Sequence, residues 1–273
     1  MSTESIAAQP IAAQTVAARA RWAVSDAWVL TLRNLTVWRR VPAYIVFTVV
    51  QPTIFTLLFR YVFGGAIPTR GIPGGYVDFL LPGVIGQTAA FATMATAIAL
   101  ATMVQRGAID RLRVMPIARS AVLVGRLAAD GARMFVTLVV IVAVGYAVGF
   151  RFHDGAGSAV AMLALAELFG LSLCCVSMFI GLALRQEEAV QAFGLIWLFP
   201  LTFVSSAFVP VQTMPGWLEA FAVNQPITHV INALRSLALG TPMGDNLWLS
   251  LLWILAIFAV FIPLAVRSYK RVS

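Results

Sequence analysis

Six apolar runs, each near the length of a bilayer crossing, constrain this chain more than any other feature. A helix needs about 20 predominantly apolar residues to span a hydrocarbon core of ~30 Å. Val41 to Phe63, Phe79 to Val104, Met134 to Phe150, Ser158 to Leu184, Ala189 to Val209 and Leu247 to Val266 meet or approach that length. Only 11% of residues are charged and 60% are hydrophobic, whereas about a quarter of a soluble domain is charged. The expected fold is therefore all-α and integral to a membrane, with six transmembrane helices.

The cations between these runs set the orientation. With the N-terminus inside, the cytoplasmic segments carry Arg19, Arg21, Arg33, Arg39, Arg40, Arg106, Arg111, Arg113, Arg119, Arg126, Arg133, Arg185, Arg267, Lys270 and Arg271, and the outside keeps only Arg60, Arg70, Arg151 and Arg235. Fifteen against four places both termini in the cytoplasm by the positive-inside rule. The net charge of +8 could also serve nucleic-acid binding, but charge confined between apolar runs reads as membrane topology. Cys174 and Cys175 are adjacent in an apolar run. Neighbours on a helix point apart, so neither a disulfide nor a metal site is expected there.

The first 25 residues are polar and Ala-rich, without the apolar core of a signal peptide, and read as a disordered cytoplasmic tail ahead of a membrane domain over 26–273. From Asp26 the pattern changes. Trp28, Val29, Leu32 and Leu35 recur at helical spacing with Arg33 off the stripe, which describes an amphipathic helix on the membrane surface. Between the second and third runs, "QRGAIDRLRVMPIARS" carries Arg106, Arg111, Arg113 and Arg119. Ile109 and Leu112 share one helical face, Arg106, Asp110 and Arg113 share another, and Pro116 stops the turn. The arginines could anchor this cytoplasmic loop to anionic lipid at ~1 kcal/mol each. A compact helix with an apolar edge also suits docking of a cytoplasmic partner.

Three stretches, "YVDFLLPGVIGQ", "VQRGAIDRLRVMPIARSAVLVGRLAADGAR" and "SSAFVPVQTMPGWLEAFAVNQPITHVINALR", resemble signature regions of the ABC type-2 exporter permeases, especially the daunorubicin-resistance type of drug-efflux permease. The third is the most specific, with Pro210, Pro215-Gly216-Trp217, Asn224, Pro226 and Arg235 in family-like order. The resemblance implies that Arg106, Ile109, Asp110, Arg111, Leu112 and Arg113 form the coupling helix that seats in an ATPase subunit. It makes the helix bearing Trp28, Leu32, Arg33 and Leu35 the connecting helix beside it. It further implies two six-span protomers, of the same or a related chain, facing each other across the substrate route, with two ATPase copies and a plasma (inner) membrane location.

A P-loop needs a lysine directly after its glycine loop, and the single lysine, Lys270, stands in "SYKRVS". No Walker A site can be built on it. The chain is expected not to be an enzyme and to bind no cofactor or metal, with ATP and Mg carried by a partner ATPase.

Two short apolar faces follow the fifth run. Trp217, Leu218 and Phe221 form one, Ile227, Val230, Ile231 and Leu234 the other, with Asn224-Gln225-Pro226 between them. Each is too short to cross a bilayer, so together they read as a re-entrant hairpin or as a loop on the outer surface. His229 and Asn232 fall on the polar side of the second. Glu167 reads as the only ionisable residue well inside a span, serving either as a proton or substrate site or as a hydrogen-bonded carboxyl in a packing seam. Candidate pathway residues are Gln87, Phe91 and Met94 on the second span and Phe199, Phe203 and Ser206 on the fifth, since aromatics and Met make an adaptable apolar surface. The resemblance lines the family's cavity with these two spans. The leading function is the permease subunit of an ATP-driven exporter of drugs, lipids or other amphiphiles. Alternatives are export of a lipid-linked saccharide and a proton-coupled secondary transporter built on Glu167.

Overall fold

The computed structural model describes residues 28–29, 31–32, 34–36, 42–63, 75–113 and 119–271, and of residues 42–49, 110, 112–113 and 119–120 the backbone alone. The tail expected over 1–25 lies outside the described residues, as do Arg33 and Pro116. Among the described residues every regular element is helical. In chain order these are α1 (Pro42–Leu58, continued by a π-helical turn at Phe59–Phe63), α2 (Tyr76–Ala92), α3 (Met94–Gln105), α4 (Ala108–Arg113), α5 (Arg119–Val148), α6 (Gly155–Leu184), α7 (Glu187–Phe203), α8 (Gly216–Asn224), α9 (Pro226–Leu239) and α10 (Asn246–Arg271).

Four stretches are long and apolar enough to cross a membrane: Tyr76–Gln105 taken through the break at Thr93, Ala121–Val148, Gly155–Leu184 and Asn246–Arg271. Where the first and fifth spans were expected the structure has α1 and α7, of 17 residues each, which are not among those four. Two boundaries differ from the sequence expectation. The third apolar run was expected to begin at Met134, but its helix begins at Arg119, because Arg126, Asp130 and Arg133 recur on one face and compensate one another instead of ending the helix. The fifth was expected to reach Val209 and stops at Phe203. There the Ser205 hydroxyl donates to the Thr202 carbonyl at 2.5 Å, a side-chain bond that competes with the helical ladder.

Helix α6 is the centre, packing against α3, α5, α9, α10 and α2. Successive long helices run in alternating directions. One edge collects the ends of α3, α6 and α10, the start of α5 and the short α4, whose Leu100, Met178, Leu182, Ala265, Tyr269, Val122 and Ile109 form one buried cluster. At the opposite edge the Tyr76 hydroxyl donates to Phe208 O at 3.4 Å and the His153 amide to Ala238 O at 3.0 Å.

Helices in lipid associate through close packing, which favours small residues at crossings. A Cβ on Gly181 would collide with the Ala97 carbonyl, so glycine there lets α6 lie directly on α3. Helices α2 and α3 part at Thr93, whose hydroxyl donates to Ala90 O at 2.7 Å and accepts from Ser177 at 2.9 Å. Pro226 opens α9 at its first turn and Gly240, at φ 68°, closes it, the usual placement of these two residues at helix ends.

Candidate functional site

The phenylalanines singled out in the sequence converge. Phe91 of α2 meets Phe199 of α7 edge-on at 6.5 Å between ring centroids, and Phe199 stacks on Phe203 at 4.3 Å. With Gln87 and with Gln51, Pro52 and Phe55 from α1 they line a cavity of about 220 Å³. Among the described residues Arg133 of α5 is the single charged side chain in that lining. Met94 packs instead over Gly194 of α7, where the missing Cβ leaves room for it. Ser206 does not join the cavity: it is buried and donates to Asn232 Oδ1 at 2.8 Å.

A charged network lies against this cavity. Asp130 of α5 accepts at Oδ2 from Arg126 Nε and from the Thr96 hydroxyl, both at 2.7 Å, and Arg133 Nη2 stands 3.3 Å from Oδ1. Arg126 also reaches Ala95 O at 3.4 Å and Arg133 reaches Ala92 O at 3.2 Å. Two guanidinium groups from α5 thus engage the last turn of α2 and the first of α3 and share one carboxylate. Glu167 is therefore not the sole ionisable group within a span, because all three of these residues lie in the stretch 121–148. Sequence reasoning missed them by beginning the third span at Met134; their spacing of four and three was the available signal. A second hollow of about 540 Å³ adjoins, lined by Arg106, Arg126, Arg133, Asp130 and Glu187 together with Asn34 and Leu35. It shares Ala95 and Arg133 with the phenylalanine cavity. In it Glu187 accepts from the Thr102 hydroxyl at 2.5 Å.

The basic segment forms the expected short helix, α4. Arg106 and Arg111 are exposed. Ile109 is not the outward anchor expected of it: at 1% exposure it is buried in one cluster with Leu100, Val122, Met178 and Tyr269. An apolar residue with so many apolar helix ends above it packs on its own chain. The side chains of Asp110, Leu112 and Arg113 lie outside the described residues. Of the N-terminal segment, Trp28, Val29 and Leu32 are exposed. Thr31 turns inward, its hydroxyl donating to Gly125 O at 3.1 Å, and Leu35 lines the charged hollow.

Helices α8 and α9 meet at Gln225, whose side-chain amide donates to the Val204 carbonyl. Trp217 and Phe221 of α8 are exposed, whereas Ile227, Val230, Ile231 and Leu234 of α9 are buried. Asn224 caps its own helix through Ala220 O at 2.8 Å, and His229 lies 3.3 Å from Asn246 Oδ1. Arg235, counted from sequence among the exterior cations, is turned into the protein. It donates to the carbonyls of Phe79 and Ser206 at 3.2 and 2.8 Å and to Asn232 Oδ1 at 3.0 Å, with its guanidinium 3.8 Å from the Phe79 ring centre.

Glu167 stands apart from the cavity. It faces Gly131 across an apolar groove between α5 and α6 lined by Leu127, Phe135 and Leu171, and its Oε2 is buried with no protein partner among the described residues.

These features coincide with a family match. The ABC-2 type transporter family matches residues 25–239. The chain is 34% identical over 239 residues, 88% of its length and 84% of the relative's, to the daunorubicin resistance ABC transporter permease protein of Streptomyces coeruleorubidus. It is 28% identical over 257 residues, 93% of this chain and 91% of the other, to a probable doxorubicin resistance ABC transporter permease protein of Mycobacterium tuberculosis. A second doxorubicin resistance permease of that organism is 29% identical over 208 residues, 76% of this chain and 71% of its own. By the extent of that match and these similarities, the chain belongs to the ABC-2 type transporter family.

Proposed function

We propose that this chain is the membrane permease subunit of an ATP-driven exporter that moves amphiphilic compounds, drugs or lipids among them, out of the cell. Energy comes from a separate ABC ATPase, which binds the ATP and Mg. The observation that carries this reading is the cavity between α1, α2, α5 and α7, in a chain whose similar proteins are named as drug-resistance permeases. Phenylalanine surfaces bind apolar bodies with little demand on shape, as an exporter of varied amphiphiles requires.

In this reading α1, α2–α3, α5, α6, α7 and α10 are six spans of a membrane domain over 26–273, in the plasma membrane with both termini cytoplasmic. The exposed arginines at the α4 edge support that orientation through the positive-inside rule. The segment at Trp28–Leu35 is the connecting helix, Arg106–Arg113 the coupling helix, and α8–α9 a re-entrant hairpin with Trp217 at its rim. Two protomers, each with an ATPase, face each other across the cavity. The position of Glu167 outside the cavity favours this over proton coupling.

Reconstitution with the cognate ATPase in proteoliposomes tests the reading. Amphiphile export should require ATP and stop when the ATPase is catalytically dead. Export driven by a proton gradient with no nucleotide present would overturn it.

A further inference from the structure

We propose that the phenylalanine cavity and the charged hollow beside it form one binding site for an amphiphile with a single anionic head, the head held by Arg133 and the apolar body by Phe91, Phe199 and Phe203. The proposal rests on the reading of this cavity as the cargo site and adds the charge of the cargo.

Charge balance selects the sign. Arg126 and Arg133 share Asp130, and the tight partner is Arg126, at 2.7 Å against 3.3 Å for Arg133. The second oxygen bond at Oδ2 goes to Thr96, so the carboxylate is already committed. Arg133 is left with Nη2 engaged, on Ala92 O and Asp130, while its Nε and Nη1 make no hydrogen bond among the described residues. Its side chain is 14% exposed and lines both hollows. A largely desolvated cation with spare donors gains more from an anion than the same pair would in water, and the planar guanidinium fork matches a carboxylate, phosphate or sulfonate.

A cationic head finds nothing equivalent. Among the described residues no carboxylate lines the phenylalanine cavity. In the adjoining hollow Asp130 is held by two arginines, and Glu187 by Thr102. Among the described residues Arg106, Arg126 and Arg133 there outnumber Asp130 and Glu187, an excess of positive charge at the end away from the rings. An anionic head there and an apolar body on the rings would satisfy both surfaces at once.

The isolated permease in phosphatidylcholine nanodiscs, without ATPase, decides the matter, so failure here leaves ATP-driven export standing. Two probes share one aromatic body: 1-anilinonaphthalene-8-sulfonate and its uncharged parent N-phenyl-1-naphthylamine. Fluorescence above protein-free nanodiscs should show the sulfonate binding at least about tenfold tighter, the size of one hydrogen bond to a charged group. Arg133→Gln should abolish that preference, Arg133→Lys should keep part of it, and Phe203→Ala should weaken both probes. Equal binding of the two probes by the parental protein overturns the proposal, as does an unchanged preference in Arg133→Gln. If Arg133→Gln does not fold, the parental preference and the Phe203→Ala loss stand as the test, and absence of either overturns it. Phosphatidic acid doped into the nanodiscs separates the sources of such an anion. Competition with the sulfonate assigns the head to a membrane lipid, and its absence assigns it to a non-lipid amphiphile; either occupant has the proposed chemistry.

Discussion

Asp130 accepts a 2.7 Å hydrogen bond from the hydroxyl of Thr96, tying a carboxylate on α5 to α3 three residues past the break at Thr93. Removing one member of a buried charge network leaves its partners uncompensated, which costs about 3–5 kcal/mol. Asp130→Ala should therefore lower the thermal unfolding midpoint sharply in detergent. Thr96→Val, which loses one hydrogen bond worth about 1.5–3 kcal/mol to a charged acceptor, should lower it less. Equal midpoints for the two variants would show that the arginines find other compensation.

Arg235 supplies donors to the carbonyls of Phe79 and Ser206. Arg235→Met keeps most of the volume but strips both carbonyls of a partner, at about 1–3 kcal/mol for each group left unsatisfied. Unfolding should shift downward accordingly, while exposed Arg111→Ala leaves the midpoint in place.

Arg111 is exposed on α4 and is expected to meet acidic groups on the ATPase. Arg111→Glu should weaken ATPase association about tenfold or more, mainly through a slower on-rate that salt modulates. Surface plasmon resonance on nanodisc-held permease measures both. Unchanged association would make the segment a lipid anchor.

Glu167 faces an apolar groove rather than the cavity. Glu167→Gln should leave ATP-driven export near the parental rate in proteoliposomes, because the amide keeps the shape and removes only the charge. Complete loss in well-folded protein would return Glu167 to the centre of transport.

Cysteines placed at Gly155 and Gln105, after replacement of Cys174 and Cys175, report orientation. An impermeant thiol reagent applied to intact cells should label the first and not the second. The reverse pattern would invert the topology.

Helices α6 and α10 were legible because apolar runs of their length, broken in α6 by Glu167 alone, read as membrane crossings, and the joint at Gln225 because Pro226 follows it. The phenylalanines of the cavity were legible as two stripes, though not that Ser206 leaves its stripe for Asn232. Hidden entirely was the start of α5. Hydropathy treats Arg126, Asp130 and Arg133 as solvent-bound, and only a folded α5 laid against Thr96 shows that they satisfy one another. Arg235 misled for the same reason: its acceptors, Phe79 O and Ser206 O, are distant in sequence, and charge counting has no knowledge of them. Ile109 was placed correctly on an apolar face, but a local pattern cannot say whether that face meets a partner or the chain's own body.

That inward seat of Ile109 has a mechanical meaning. Ile109 of α4 is buried in one cluster with the ends of α3, α6 and α10 and the start of α5, and a close-packed interior yields little to compression. In the proposed docking, a thrust delivered to the exposed Arg111 of α4 would therefore not be spent in one loop. It would load four helices together, as a stud transmits force to every plate it joins, and the stiffness of that joint would set how much of the stroke reaches the rings of Phe91 and Phe199.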